Sequence, residues 1–276
     1  MENYEIGIVE TRKIIKVLQE NYNFDLSNFA LTSLKRQFEK IIINNNFREA
    51  DFLITRLRED PEFFEIFKCG ILVESTEMFR DPSLWRMLRD ELLPGNLNSG
   101  KKLKVWLPLV VSGEELFSLM ILLRESGWND QVEIIASSLS YKCIERIQEG
   151  IFGLKKIEVS KENYTRFQGM KNLTDYYVDK EQHAIRDPNL LEGVKFERQN
   201  EIFDYLPREV NIIIFRNQMI YYNQTLQVNV LKELHQVLSM KGFLLIGAQE
   251  RIPSAITNMY HPYNAGESVY RKKIIK

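Results

Sequence analysis

The sequence predicts an α/β fold, a small all-helical part followed by a larger, mostly parallel sheet with helices on both faces. Three observations predict it. From about Glu5 to Phe67 apolar residues recur at helical spacing with almost no strand pattern. After Asp81-Pro82, short β-rich apolar runs alternate with helical stretches. At 276 residues the chain is long for one compact domain and sufficient for two. We place a helical N-terminal domain at residues 1–75 and an α/β domain at 76–276, with an irregular inserted subdomain near 160–192.

In the helical part, Ile14, Ile15, Val17 and Leu18 share one face, with Lys13, Lys16, Gln19 and Glu20 around the other. Thr32-Ser33 before Leu34 resembles a helix start, and Asn44-Asn45-Asn46 a stop. A third helix is expected from Arg48 through Leu57. Asp60-Pro61-Glu62 opens a fourth, because proline's missing N–H costs nothing in a first turn. Downstream, the apolar run 102–111 leads into a helix over 113–124. A strand at 132–137 leads into a helix over 142–150. Strands follow at 194–198 and 210–215, then a helix near 225–240, and Lys241-Gly242 turns into a strand at 243–247. Between Tyr164 and Glu192 the chain is polar and without period. In sheets of this kind ligands lie at the carboxyl ends of the strands, where the strand order switches.

Composition removes several functions. A formal net charge of -1 gives no bulk attraction to nucleic acid or anionic membrane, and no aromatic and basic interleaving suits a nucleic-acid groove. No apolar run approaches the ~18 residues that span a bilayer, so membrane insertion is not expected. The polar, acidic start Met1-Glu2-Asn3-Tyr4-Glu5 lacks a signal core, so the expected compartment is the cytoplasm. Cys69 and Cys143 match no metal spacing and no C-x-x-C pattern, and are expected to be reduced, mostly buried thiols. No G-x-G-x-x-G follows the first strand, which argues against a nicotinamide dehydrogenase.

Several motifs occur in a telling order. Thr76-Glu77-Met78-Phe79-Arg80-Asp81-Pro82 comes first, then Val105-Trp106 with Ser112-Gly113-Glu114-Glu115 and Phe117-Ser118-Leu119. Ile135-Ala136-Ser137-Ser138-Leu139 with Gly150-Ile151-Phe152, and Phe196-Glu197-Arg198-Gln199-Asn200, come next. Phe215-Arg216-Asn217-Gln218-Met219-Ile220-Tyr221-Tyr222 and the segment from Leu238 to Gly247 complete the set. In this order the chain, from about Leu34 to Lys273, resembles the CheR-type chemoreceptor glutamate O-methyltransferases. The resemblance implies a Rossmann-like S-adenosylmethionine-dependent methyltransferase domain preceded by a helical domain. It also implies a cytoplasmic signalling role, with a chemoreceptor-like or other signalling protein as partner. The family's reaction moves a methyl group onto a glutamate side chain. Such a displacement needs alignment and desolvation more than an acid or base, since a carboxylate is already ionised at neutral pH. None of His183, His235 and His261 is therefore expected to be catalytic.

The resemblance implies site residues one by one. Arg80 and Tyr221 match the catalytic positions, Arg80 orienting the carboxylate through paired N–H donors and Tyr221 closing the wall beside the sulfonium. Thr76, Gly113, Glu115, Ser138, Asn200, Asn217 and Gln218 match cofactor-binding positions; no metal is implied. Structural alternatives stand beside these roles: Arg80 paired with Asp81 or an acidic neighbour, Tyr221 as core, and Glu114 and Glu115 as helix-dipole partners. A basic set of Lys35, Arg36, Arg48, Arg56 and Arg58 matches residues that family members use to meet a receptor. Its alternative is a solvated face paired with Glu39 and Glu49. The segment 163–191 takes the place of the family's β-subdomain.

Two departures bear on activity. Where the family has Ala-Gly-Cys-Ser-Thr-Gly, this chain has Pro108-Leu109-Val110-Val111-Ser112-Gly113, with branched side chains where glycine lets backbone approach the cofactor. Where the family has an aspartate that accepts from both ribose hydroxyls, this chain has Ser138. Losing that charged acceptor costs roughly 1.5–3 kcal/mol of cofactor binding. The departures favour a family homologue with weakened or lost cofactor binding that acts as a protein-binding module. The alternative is an active protein-glutamate O-methyltransferase with an unusual cofactor loop, favoured by the retained Thr76, Arg80, Asn217 and Tyr221.

Overall fold

The computed structural model describes residues 4–71, 77–97, 101–180, 183–199 and 206–274. The chain opens with α1 (Ile8–Tyr22), α2 (Leu31–Asn44), α3 (Ala50–Glu59) and α4 (Pro61–Ile71). The inward stripe of α1 is Thr11, Ile14, Val17 and Leu18, and the helix stops at Asn23, whose left-handed backbone returns its N–H to the carbonyls of Gln19 and Leu18. Helix α2 begins before the expected start: Ala30 precedes it, and Thr32 and Ser33 lie in its first turn. Asp60 accepts the Phe63 N–H at 3.0 Å and so caps α4, whose first residue is Pro61. Nearly every apolar position of α4 is buried, because it is packed between the other helices and the sheet. A short α5 (Pro82–Met87) runs on into a π-helical turn over Leu88–Leu92.

The sheet holds β1 (Leu103–Leu107), β2 (Val132–Ser138), β6 (Lys195–Arg198), β7 (Val210–Ile214), β8 (Leu238–Leu245), β9 (Tyr260–Asn264) and β10 (Val269–Lys272). Among the described residues its seven strands are ordered β6-β2-β1-β7-β8-β10-β9. The first five run parallel, while β10 and β9 are antiparallel. Helices α6 (Glu114–Ser126), α7 (Tyr141–Glu149) and α9 (Gln224–Val237) make crossovers between parallel strands. Strand β1 lies between β2 and β7, so the order reverses there and the carboxyl ends of β1 and β7 frame a crevice.

Successive side chains of a strand point to opposite faces, and β1 uses both. Trp106 joins Ile135, Ile213 and Leu244 against Leu18, Phe38 and Phe67 of the helical part. Val105 and Leu107 join Ile134 and Ile214 against Leu116 and Phe117 of α6 and Trp85 of α5. The hydrophobic cluster under the N-terminal helices is therefore also the cover of one face of the sheet. No helix among the described residues is long and apolar enough to cross a membrane.

Three expectations need correcting. The segment near 160–192 is not irregular: α8 (Ile157–Phe167) runs into it, and β4 (Tyr177–Asp179) and β5 (His183–Arg186) pair with β3 (Ile151–Gly153) in a second antiparallel sheet, ordered β3-β5-β4. Strands of three and four residues are too short to display a period. The β9–β10 pair was also not expected, since β9 is an edge strand, four of its five residues are exposed, and it carries Pro262. Finally, Cys69 and Cys143 are not free thiols but a disulfide. They stand 74 residues apart in sequence, and only the packing of α4 on α7 brings their Cα atoms to 5.6 Å.

Candidate functional site

Strand β1 delivers the chain to Pro108 at the crevice, and the turn from there to Gly113 decides what fits. Gly113 has φ 85° and precedes α6, and an added Cβ would meet Ile147 at 3.1 Å, so both backbone and space call for glycine. Leu109 has φ 58°, a left-handed conformation that costs a side-chain-bearing residue about 1–2 kcal/mol. It is nonetheless 2% exposed and packs with Val111 in the cluster shared with the N-terminal helices. Val110 packs toward the opposite cluster, and its N–H donates to the carbonyl of Ser137 at 2.7 Å. The cavity left at the turn measures about 30 Å³ and is lined by the stretch 107–115 with Ile214, Arg216 and Gln218. That is room for a water molecule, against roughly 300 Å³ or more for a small-molecule site.

Ser138 ends β2, is 1% exposed, and its hydroxyl has no hydrogen-bond partner among the described residues. Its carbonyl accepts the N–H of Gln199 at 2.8 Å, which closes β6 onto β2. The next turn is covered by α4. The Ser140 hydroxyl donates to the Glu65 carbonyl at 2.8 Å, and Glu65 Oε1 lies 2.7 Å from Lys68 and 3.0 Å from Arg198.

At the end of β7 a guanidinium takes the central place. Arg216 has a 1% exposed side chain; its Nη1 donates to Glu115 Oε1 at 2.8 Å and to the Arg80 carbonyl at 3.3 Å, and its Nη2 to Asp81. Asp81 and Phe79 both have left-handed φ, which folds the segment 79–81 around the guanidinium. Burial pushes the Glu115 carboxyl up, against the opposing charge of Arg216. Asn217 is left-handed as well, and a Cβ on Gly247 would lie 2.4 Å from its Oδ1. Glu250 fixes that corner: its buried carboxylate accepts the N–H groups of Gly247 at 2.6 Å, Met219 at 2.7 Å and Asn217 at 2.9 Å. Burial raises its pKa, while those backbone donors oppose the rise.

Gly113, Glu115 and Gln218 line the small cavity together with Arg216. Asn217 follows Arg216 in the adjoining loop, while Ser138 ends the neighbouring strand and does not line the cavity. The Arg80 side chain is 36% exposed and its Nε stands 3.7 Å from Glu77, so the acidic neighbour is Glu77, while Asp81 goes to Arg216. Tyr221 is partly buried against the cluster under the N-terminal helices, and its carbonyl accepts the Ala30 N–H at 2.8 Å. Burial pushes the Tyr221 phenol up, with the charge of Arg80 opposing. Thr76 and Asn200 lie outside the described residues. In the basic set, Lys35 meets Glu5 at 2.9 Å and Glu39 at 3.9 Å, and Arg56 meets Asp60 at 2.8 Å.

Sequence reasoning missed three charged residues here. Arg216 lay inside a quoted motif without a role. Glu250 and Arg186 carried no local signal at all. Arg186 reaches from β5 to Glu114 at 3.0 Å and to the Ser112 carbonyl at 3.1 Å, with its guanidinium over the rings of Phe117 and Phe152. Glu114 is thus an ion-pair partner, and the small sheet is tied to the turn before α6.

With the geometry in place, comparison with known proteins identifies the family. Residues 74–267 match the family described as CheR methyltransferase, SAM binding domain, which makes S-adenosylmethionine the family's cofactor. A Pseudomonas putida protein provisionally named methyltransferase Cher3 is 29% identical over 265 residues, 96% of this chain and 97% of its own. A chemotaxis protein methyltransferase of Listeria innocua is 23% identical, over 86% of this chain and 88% of its own. Among solved structures, TrmN from Thermus thermophilus overlaps 71% of this chain and 52% of its own at 12% identity and a TM-score of 0.37, too loose a likeness to carry an argument. The motif order, the parallel sheet with its switch at β1 and β7, and the match over 74–267 agree: the chain belongs to the CheR methyltransferase family.

Proposed function

We propose that this CheR-family chain has its S-adenosylmethionine site closed by its own side chains and acts as a protein-binding module in a chemotaxis-like pathway. Its partner on this reading is a chemoreceptor or another signalling protein. The observation that carries the proposal is the turn after β1, where Leu109 and Val111 are buried and about 30 Å³ remains. Ser138 adds to it, since a lone buried hydroxyl replaces the carboxylate that would hold both ribose hydroxyls. Together the two changes are expected to weaken cofactor binding by a factor on the order of 100 or more.

One observation favours an active enzyme. Leu109 has the left-handed backbone that a glycine adopts without cost, so a glycine could stand there with the turn as it is. Arg80 and Tyr221 also lie close enough for the guanidinium to bias the phenol. Calorimetric titration with S-adenosylhomocysteine separates the readings. The native chain is expected not to bind, and the triple variant Leu109→Gly, Val110→Ala, Ser138→Asp to bind. Micromolar binding by the native chain would sink the closed-site reading, and methyl transfer to receptor fragments would then be the next assay.

A further inference from the structure

The disulfide lies outside the cofactor turn, yet it ties the helical part to the sheet beside it. Cys69 is near the end of α4, and Cys143 is in the first turn of α7, which begins three residues after Ser138. Polar ties from α4 run beside the disulfide. Ser140 donates to the Glu65 carbonyl at 2.8 Å, Lys142 meets Glu62 at 3.0 Å and Tyr141 donates to Glu62, while Arg198 of β6 meets Glu65 at 3.0 Å. Glu62 and Arg198 have side chains 58% and 45% exposed, so water competes for these pairs. The Ser140 hydrogen bond is buried, and the covalent bond adds a tie that water and salt do not weaken.

We propose that Cys69 and Cys143 form a redox latch, which in its disulfide state holds α4 down on α7 at the edge of the cofactor crevice. A dithiol reductant releases it. A thiolate of the reductant attacks one sulfur and breaks the S–S bond, giving a mixed disulfide and one free cysteine. The reductant's second thiolate then displaces the other cysteine. The protein gains two electrons and two protons as two thiols, and the reductant leaves as its own disulfide. Both cysteines are buried, at 2% and 0% exposure, so attack waits on local opening of the helix turns that cover the sulfurs, and a partner that grips α4 would alter the rate. The inference rests on the closed-site reading only for its consequence at the crevice; the latch itself stands on the packing of the two helices.

The test uses the full chain equilibrated with oxidised glutathione, then split into untreated and dithiothreitol-reduced halves. Denatured thiol titration is expected to find no thiols in the first and two in the second. Deuterium uptake in α4 and α7 is expected to rise at least tenfold in rate on reduction, while β1 and β7 stay unchanged. Two thiols in the oxidised half, or equal uptake in both halves, would overturn the latch. S-adenosylhomocysteine binding is measured on the same samples. Binding by the oxidised native chain would defeat the closed-site reading while leaving the thiol and exchange results to judge the latch.

Discussion

The backbone N–H of Val110 lies 2.7 Å from the carbonyl oxygen of Ser137 and donates to it. The β1–β2 pairing ends at Leu107 with Ala136, so this bond adds one more tie and draws the turn across the end of β2. Leu109, just before it, is forced into a left-handed backbone and buried together with Val111. Apolar burial is thus set against conformational strain, and burial prevails: an enclosed leucine side chain contributes about 1.5–3 kcal/mol, a left-handed residue costs about 1–2.

Leu109→Gly follows directly from that balance. Relief of strain offsets part of the lost packing, so the net cost is expected to be about 1–3 kcal/mol, below the range for a leucine truncated at an unstrained site. Urea unfolding measures it. A loss of more than about 4 kcal/mol would mean that the strain is not relieved, and no loss would mean that Leu109 is not part of the core.

The guanidinium of Arg216 serves two carboxylates and a carbonyl at once, and only a planar fork reaches all three. Arg216→Met leaves Glu115 and Asp81 without the guanidinium that bridges them, and about 3–5 kcal/mol of destabilisation is expected. Arg216→Lys keeps the charge and loses the fork, so it is expected to fall between the two. Chemical denaturation of both variants checks the order; a lysine variant as stable as the native chain would show that charge alone suffices.

Glu250 joins two loops through a single carboxylate, accepting from Gly247 on one side and from Asn217 and Met219 on the other. Glu250→Gln replaces one acceptor oxygen by an NH2 group that faces backbone donors. The expected loss is about 2–4 kcal/mol, from one or two hydrogen bonds to a charged group. Faster amide exchange at Asn217 and Met219 should accompany it. Unchanged exchange there would show that the loops hold without the carboxylate.

Most of the architecture was legible because it lives in periodicity. The stripe Ile14, Val17, Leu18 and the apolar run 210–215 carry their own period, and each turned up as helix or buried strand. What escaped was whatever depends on contacts distant in sequence. Cys69 and Cys143 look like unrelated thiols until α4 lies on α7. Arg186 and Glu114 are 72 residues apart, and nothing local marks either as a partner of the other. At the site, the replacement of glycine by Leu109 was visible in the motif, but that the leucine keeps a glycine-like backbone was not. Motifs state which side chains stand at a turn, and only packing decides which way they point.

His235 gives the chain a pH dependence remote from the site. It is 8% exposed on α9, and its Nε2 lies 3.1 Å from the Lys273 carbonyl, so that nitrogen donates. Burial, the largest cause, lowers its pKa below the ordinary 6.5, with the backbone hydrogen bond opposing. The unfolded chain then binds a proton near pH 6.5 that the folded chain still refuses. This contribution to stability is therefore fully present above pH 6.5 and is lost as the pH falls toward the folded pKa, by at most about 1.4 kcal/mol per pH unit. The raised carboxyls of Glu115 and Glu250 act with the opposite sign on acidification, so the comparison must be made against a variant that keeps them. His235→Gln retains a side-chain N–H for the carbonyl and removes the titration. Native stability minus variant stability, measured by urea unfolding from pH 8 to pH 5, is expected to be flat down to about 6.5 and then to decline. A difference that stays constant to pH 5 would mean that His235 takes up its proton as readily in the folded chain as in the unfolded one.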